Sequence, residues 1–145
     1  MSNLLKKDKG FTLIEVVLVM AIAGLILVIV FLAVQGAQRS RRDNARKHDA
    51  ARMLAAVESC AGNQNGSYTA PVNCSGTNPL LQATTGTPYF APNINPDGTA
   101  YTIAAAPSTT AFQVQFNTAC PSGGAVHPAL VTVGQESGAN YCVGN

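Results

Sequence analysis

The sequence predicts an α+β protein: one long N-terminal hydrophobic α-helix whose far end packs on a small antiparallel β-sheet head. Three observations carry this. Phe11 to Val34 is an almost unbroken apolar run, and no proline occurs before Pro71. After the Gly- and Pro-rich stretch that follows, Tyr101–Ala105, Phe112–Phe116 and Ala129–Val133 alternate or run apolar as short strands do.

Residues 1–10 read as a leader and not as part of the fold. Lys6, Lys7 and Lys9 crowd its end, and it has no apolar core of its own. In an ordinary secretory signal the apolar region precedes a small-residue cut; here it follows Gly10 and would be retained. Residues 11–35 form the transmembrane half of the helix. Phe11 to Val34 would extend about 36 Å, enough to span a bilayer. Valine and isoleucine are weak helix formers in water, but lipid leaves the backbone no other way to satisfy its polar groups. Gly24 is the weak point within the span.

Residues 36–62 continue the helix as an amphipathic half. Gln35 to Asp49 is polar and basic, and then Ala50, Met53, Leu54, Val57 and Ala61 recur at core-facing helical spacing. Gly62-Asn63 supplies the stop. The expected helix runs from about Phe11 to Ala61, roughly 75 Å.

Residues 63–145 form the head. Gly66, Pro71, Gly76, Pro79, Gly86, Pro88, Pro92 and Pro96 punctuate its first part and exclude a long helix there. Pro96-Asp97-Gly98 is a turn signal. The three strands need a partner, since a lone small sheet is marginal in water. The Ala50–Ala61 stripe is that partner.

Only 11% of the chain is charged, and the charge is unevenly placed. Outside the leader the basic residues are Arg39, Arg41, Arg42, Arg46, Lys47 and Arg52; from Met53 onward there are none. Glu58, Asp97 and Glu136 give that region a charge of about −3. Phosphate affinity comes mainly from basic side chains, so the expectation is against nucleic-acid binding by the head alone.

The cysteines are Cys60, Cys74, Cys120 and Cys142. None forms a CxxC pair and there are two histidines, a poor match to zinc. An even count in a small domain beyond a membrane segment points to disulfides in an oxidising compartment. Of three pairings, Cys60–Cys74 with Cys120–Cys142 is favoured because each closes a short loop; a loop of about 15 residues contributes roughly 3 kcal/mol in the chain-entropy model. The alternative is four buried thiols. His48 and His127 lack triad partners nearby. No nucleophile-elbow, zinc-protease or P-loop sequence occurs. The expectation is a protein that is not an enzyme and needs no cofactor or metal.

Lys9-Gly10-Phe11-Thr12-Leu13-Ile14-Glu15 carries the functional signal. Glu15 is the only charge in the apolar run, and an isolated carboxylate in lipid needs a reason. The stretch resembles the prepilin signal of the type IV pilin and pseudopilin superfamily, over roughly residues 6–35. By that resemblance Gly10 precedes the prepilin peptidase cut and Phe11 is the new, N-methylated terminus. Glu15 matches the acid at the fifth mature position, and Gly24 is retained. Leu32 stands where many members carry proline, which implies a more continuous helix.

The resemblance implies a pilin-like fold and a homo-oligomeric helical filament, assembled by an inner-membrane platform and ATPase. The precursor would sit in a bacterial cytoplasmic membrane and the product at the cell surface as a pilus, or fimbrium. The expected role is adhesion, twitching motility or DNA uptake. The alternatives are a type II secretion-type pseudopilin and a membrane-tethered adhesive module that does not polymerise. Within a filament, the amine at Phe11 and the Glu15 carboxylate would pair, since burial makes a lone charge costly and a pair tolerable.

The basic residues beyond the span outnumber the three in the leader, against the positive-inside bias. Three readings stand. Arg39, Arg41, Arg42, Arg46, Lys47 and Arg52 could form ion pairs between subunits with Asp43, Asp49 and Glu58. They could meet lipid headgroups before assembly. They could be a solvated helix face.

Overall fold

In the computed structural model, residues 10–69, 73–76, 80–81 and 87–145 are described. The leader lysines Lys6, Lys7 and Lys9, and Pro71, Pro79 and Gly86, lie outside these residues. One helix, α1 (Leu13–Gly62), and four strands follow in order: β1 (Thr102–Ile103), β2 (Ala111–Ala119), β3 (Val126–Gly134) and β4 (Asn140–Gly144). The chain divides into two compact units, Met1–Gln38 and Arg39–Asn145.

The first unit contains the apolar part of α1. Its large hydrophobic side chains, from Phe11 to Val34, are exposed. By length and composition this helix can cross a membrane. The helix runs unbroken through Gly24 and Leu32.

In the second unit, the rest of α1 buries Ala50, Met53, Leu54, Ala56, Val57, Cys60 and Ala61. The helix ends in a turn where the Gly66 amide donates to the Ala61 carbonyl (2.9 Å), with Asn65 and Gly66 at positive φ. That geometry satisfies a terminal carbonyl as C-terminal caps do. Against the helix stripe pack Phe112, Ala129, Val131 and Val133, with Phe90 and Tyr101 completing the core. Tyr101 lies 4.2 Å from Phe112 between ring centroids, and Phe90 meets Phe112 edge-on at 5.6 Å.

The sheet has the order β1-β2-β3-β4. The expected all-antiparallel, three-stranded arrangement is corrected in two respects. First, β1 is two residues long and runs parallel to β2, so the sheet is mixed. The chain between them does not turn as a tight hairpin. It loops through Pro107, and the Ser108 carbonyl accepts from the Gly134 amide at the far side of β2 (3.0 Å). That approach requires glycine: a Cβ on Gly134 would sit 2.7 Å from the Ser108 carbonyl carbon. Second, β4 is a fourth strand, antiparallel to β3, with Tyr141 opposite Val133 and Val143 opposite Val131.

Phe112, Val114 and Phe116 pair with Val133, Val131 and Ala129 on the face toward α1. Period-two alternation places Leu130 and Thr132 on the other face, yet both are fully buried. The cause is the β2–β3 hairpin. Ala119 pairs with Val126 at its tip, while Cys142 pairs with Thr132 near the other end of β3. Cys120 and Cys142 are nevertheless 5.9 Å apart at Cα and disulfide-bonded. The hairpin end must therefore fold back over the outer face, and the bend coincides with the positive φ of Asn117.

The other disulfide, Cys60–Cys74, ties the end of α1 to the following loop. Both bridges follow the short-loop pairing, with separations of 14 and 22 residues.

The Thr132 hydroxyl is buried without a hydrogen-bond partner among the described residues. Such a group carries a desolvation cost that an isosteric methyl does not. Thr132→Val should leave the full chain in detergent as stable as wild type or raise its thermal midpoint. Thermal unfolding followed by circular dichroism checks this; a midpoint lowered by several degrees contradicts it.

Candidate assembly site

The N-terminal end of α1 is built by Thr12. The Glu15 amide donates to the Thr12 carbonyl at 3.1 Å and lies 3.4 Å from its Oγ1, and the Val16 amide also reaches the Thr12 carbonyl. Thr12 is thus the N-cap and Glu15 occupies the third helical position. Thr12-Leu13-Ile14-Glu15 is a capping-box sequence, a signal the residue-by-residue reading passed over. A carboxylate in the first turn also complements the positive end of the helix dipole. Phe11 is 85% exposed, Glu15 is exposed, and together with Val16, Val19 and Met20 they line a shallow groove that is almost wholly apolar. This end therefore offers one carboxylate beside an apolar surface. Gly24 has open space where a side chain would project.

The basic cluster in the second unit is arranged differently. Arg46 is fully buried. Its Nη1 donates to Asp43 (3.2 Å) and to Glu136 (3.0 Å), its Nη2 to Asp97 (2.5 Å), and its Nε to the Thr109 carbonyl (3.2 Å). Arg42 grips Glu136 with two parallel bonds of 2.6 and 2.8 Å, the bidentate geometry that makes such pairs strong. Asp43 also accepts the Glu136 amide (2.8 Å). Nearly two turns beyond Arg46, Arg52 donates to Asp49 (3.0 Å) and to the Ala91 carbonyl (2.9 Å), and stacks 4.9 Å from the Phe90 ring. Asp49 in turn accepts the Tyr101 hydroxyl (3.0 Å).

Two turns deliver the remote acids. In Pro96-Asp97-Gly98, the Asn95 side chain accepts the Asp97 amide and its carbonyl accepts the Gly98 amide, which presents Asp97 to the arginines. The β3–β4 turn, closed by Gly138 at positive φ, presents Glu136.

Arg42, Arg46, Arg52, Asp43 and Asp49, for which pairing between subunits was one of three readings, have partners within the chain. The physical reason is helical spacing. Asp43, Arg46 and Asp49 extend the buried stripe of Ala50, Met53 and Val57 toward the N-terminus, so they face the head. Sequence reading stopped the stripe at Ala50 because its upstream members are charged. It also left out Glu136 and Asp97 as partners, which only the topology brings to Arg46.

The remaining members stay near the surface. Arg39 is 62% exposed at the side chain and 3.9 Å from Glu136. Lys47 lies 5.7 Å over the Tyr141 ring, and Arg41 is exposed.

Hydrogen bonds from Arg42, outweighing burial, and then from Arg46 pull the Glu136 carboxyl down to about 2 from its ordinary 4.5. Burial, with Asp49 adjacent, pushes the Tyr101 hydroxyl well above its ordinary value.

The family model described as the prokaryotic N-terminal methylation motif matches residues 5–31. The matched segment contains Gly10, Phe11, Glu15 and Gly24, and it is the prepilin-type signal of type IV pilins and pseudopilins. No curated protein and no solved structure matches the chain.

The shifted Glu136 sets an acid dependence. A carboxyl held below its unfolded value contributes stability that is fully present above about 4.5 and is lost as pH falls toward about 2. The thermal midpoint of the full chain should drop across that window. Glu136→Gln should start lower at neutral pH and show a flatter decline. Parallel profiles for the two proteins would contradict the assignment.

Proposed function

We propose that this chain is the precursor of a type IV pilus-like filament subunit. In this reading prepilin peptidase cuts after Gly10 and the new terminus at Phe11 is N-methylated. An inner-membrane platform and its ATPase then add the subunit to a homo-oligomeric filament. The observation that carries the reading is the methylation motif matched over residues 5–31, together with the exposure of every apolar side chain from Phe11 to Val34, of which Leu13 onward belong to α1. A helix apolar all round requires lipid or other helices as its surroundings. Membrane before assembly and a helix bundle after it supply both in turn.

Glu15 gives the addition step its register. Cleavage places an amine at Phe11, at the positive end of the helix, and the only carboxylate of the apolar run stands one turn away. In a bundle of such helices the amine of an incoming subunit and a Glu15 carboxylate neutralise each other, at a depth where either alone is costly. The motif is shared with pseudopilins, so a secretion-type pseudopilus is the second reading. A filament recovered from the cell surface favours the pilus.

Two measurements test the proposal. Intact mass of the protein in a sheared surface fraction should give a chain starting at Phe11, about 14 Da heavier for one methyl group and about 4 Da lighter for two disulfides. A chain starting at Met1 or Ser2 and confined to membranes would instead favour a tethered adhesive module. Glu15→Ala should leave cleavage largely intact and reduce surface filaments at least tenfold. Wild-type filament yield from that variant would remove Glu15 from the assembly step.

A further inference from the structure

The charged side chains of Arg39–Asn145 are almost entirely matched within the chain. Arg42, Arg46 and Arg52 are paired with Asp43, Asp49, Asp97 and Glu136. Arg39 lies beside Glu136, and Lys47 lies over Tyr141. Among the described residues, which include every charged residue of this unit, that leaves one cation and one anion with neither an ion pair nor a ring contact: Arg41 and Glu58. Both are exposed on α1.

We propose that Arg41 of one copy pairs with Glu58 of another copy further along the filament, distinct from the neighbour that shares its Phe11–Glu15 pairing. The inference rests on the filament reading and names a contact within it. The two residues cannot serve each other inside one chain, because at 1.5 Å rise per residue they lie about 26 Å apart along the helix. Two unlike patches displaced along one axis define a heterologous contact, in which each copy gives its Arg41 to one neighbour and its Glu58 to another. Such contacts propagate without closing and generate open helical filaments. Neighbouring parallel helices joined this way are offset by about 26 Å along their axes. Between the two charges Ala51 and Ala55 are exposed, and their short side chains let a second helix approach.

An exposed pair of this kind sets register and rejects wrong alignments more than it supplies affinity, since like charges brought together are strongly disfavoured. A lipid headgroup could engage Arg41 but would leave Glu58 without a role, so the two sources of a partner separate experimentally.

The test compares filament yield in sheared surface fractions for wild type, Arg41→Glu, Glu58→Arg and the double reversal. Each single reversal should lower the yield by about fivefold or more. The double reversal should restore it to within about twofold, because the pair is rebuilt with exchanged signs. In a strain carrying Arg41→Cys and Glu58→Cys on separately tagged copies, a bifunctional maleimide of about 10 Å span should link the two thiols into a mixed dimer. Because both positions are exposed, thermal unfolding of each single variant should match wild type, which separates an assembly defect from misfolding. Single variants that assemble like wild type, or a double reversal as poor as the singles, would overturn the contact and leave the filament reading standing. Absence of wild-type filaments would overturn the filament reading and the contact with it.

Discussion

The buried guanidinium of Arg46 is the constraint around which the second unit is arranged. Arginine keeps its charge in proteins, and a buried charge is tolerable only when paired and hydrogen-bonded. The acceptors come from four places: Asp43 on the same helix, the Thr109 carbonyl ahead of β2, Asp97 in the turn after Pro96, and Glu136 in the β3–β4 turn. No two of the last three are neighbours in sequence. Satisfying one side chain therefore fixes three separate stretches against α1. The Thr109 contact holds the segment containing Ser108, which in turn accepts the Gly134 amide at the end of β3. The small apolar core and this polar clamp secure opposite ends of one helix stripe, with Ala50 at the junction.

The sheet is enclosed by a comparable economy of parts. Its inner face packs on α1 in the ordinary way. Its outer face would be left to solvent in a simple three- or four-stranded layer. Here the long β2–β3 hairpin bends at Asn117 and the Cys120–Cys142 bridge holds its end against β4, so Leu130 and Thr132 are covered from both sides. A head this small gains from such staples because its core alone supplies little stabilisation.

Much of this was legible in the sequence, for identifiable reasons. The helix was readable because two independent apolar patterns, a continuous run and then an i, i+3, i+4, i+7 stripe, join without a proline between them. The turn at Pro96-Asp97-Gly98 and the segments around Phe112 and Val131 were readable from local chemistry. What could not be read depends on long-range placement. β4 is five residues with a cysteine at its centre, and only its pairing with β3 marks it as a strand. The parallel sense of β1 follows from where Ser108 docks, which no local pattern encodes. At the N-terminal end, Gly10, Phe11 and Glu15 stand out because their order is itself the signal, and they lie in the matched methylation motif. In the basic cluster, residue type pointed outward while helical position pointed inward, and position prevailed because Asp97 and Glu136 were available to neutralise Arg46.

That outcome changes how the charge beyond the apolar run should be counted. As a linear sequence the segment from Arg39 to Arg52 carries six basic residues, which opposes an orientation with the leader inside. In the folded unit three of them are neutralised, and two of the acids responsible, Asp97 and Glu136, lie far along the chain. The bias is therefore strongest while the head is unfolded and falls once β3 and β4 have formed the turn that carries Glu136. In the orientation proposed above, with the leader inside, folding of this unit would lower the charge that opposes it. Arg42 and Arg46 could leave their places in this unit only by giving up Glu136 and Asp97, and separating a buried arginine from its partners is strongly disfavoured.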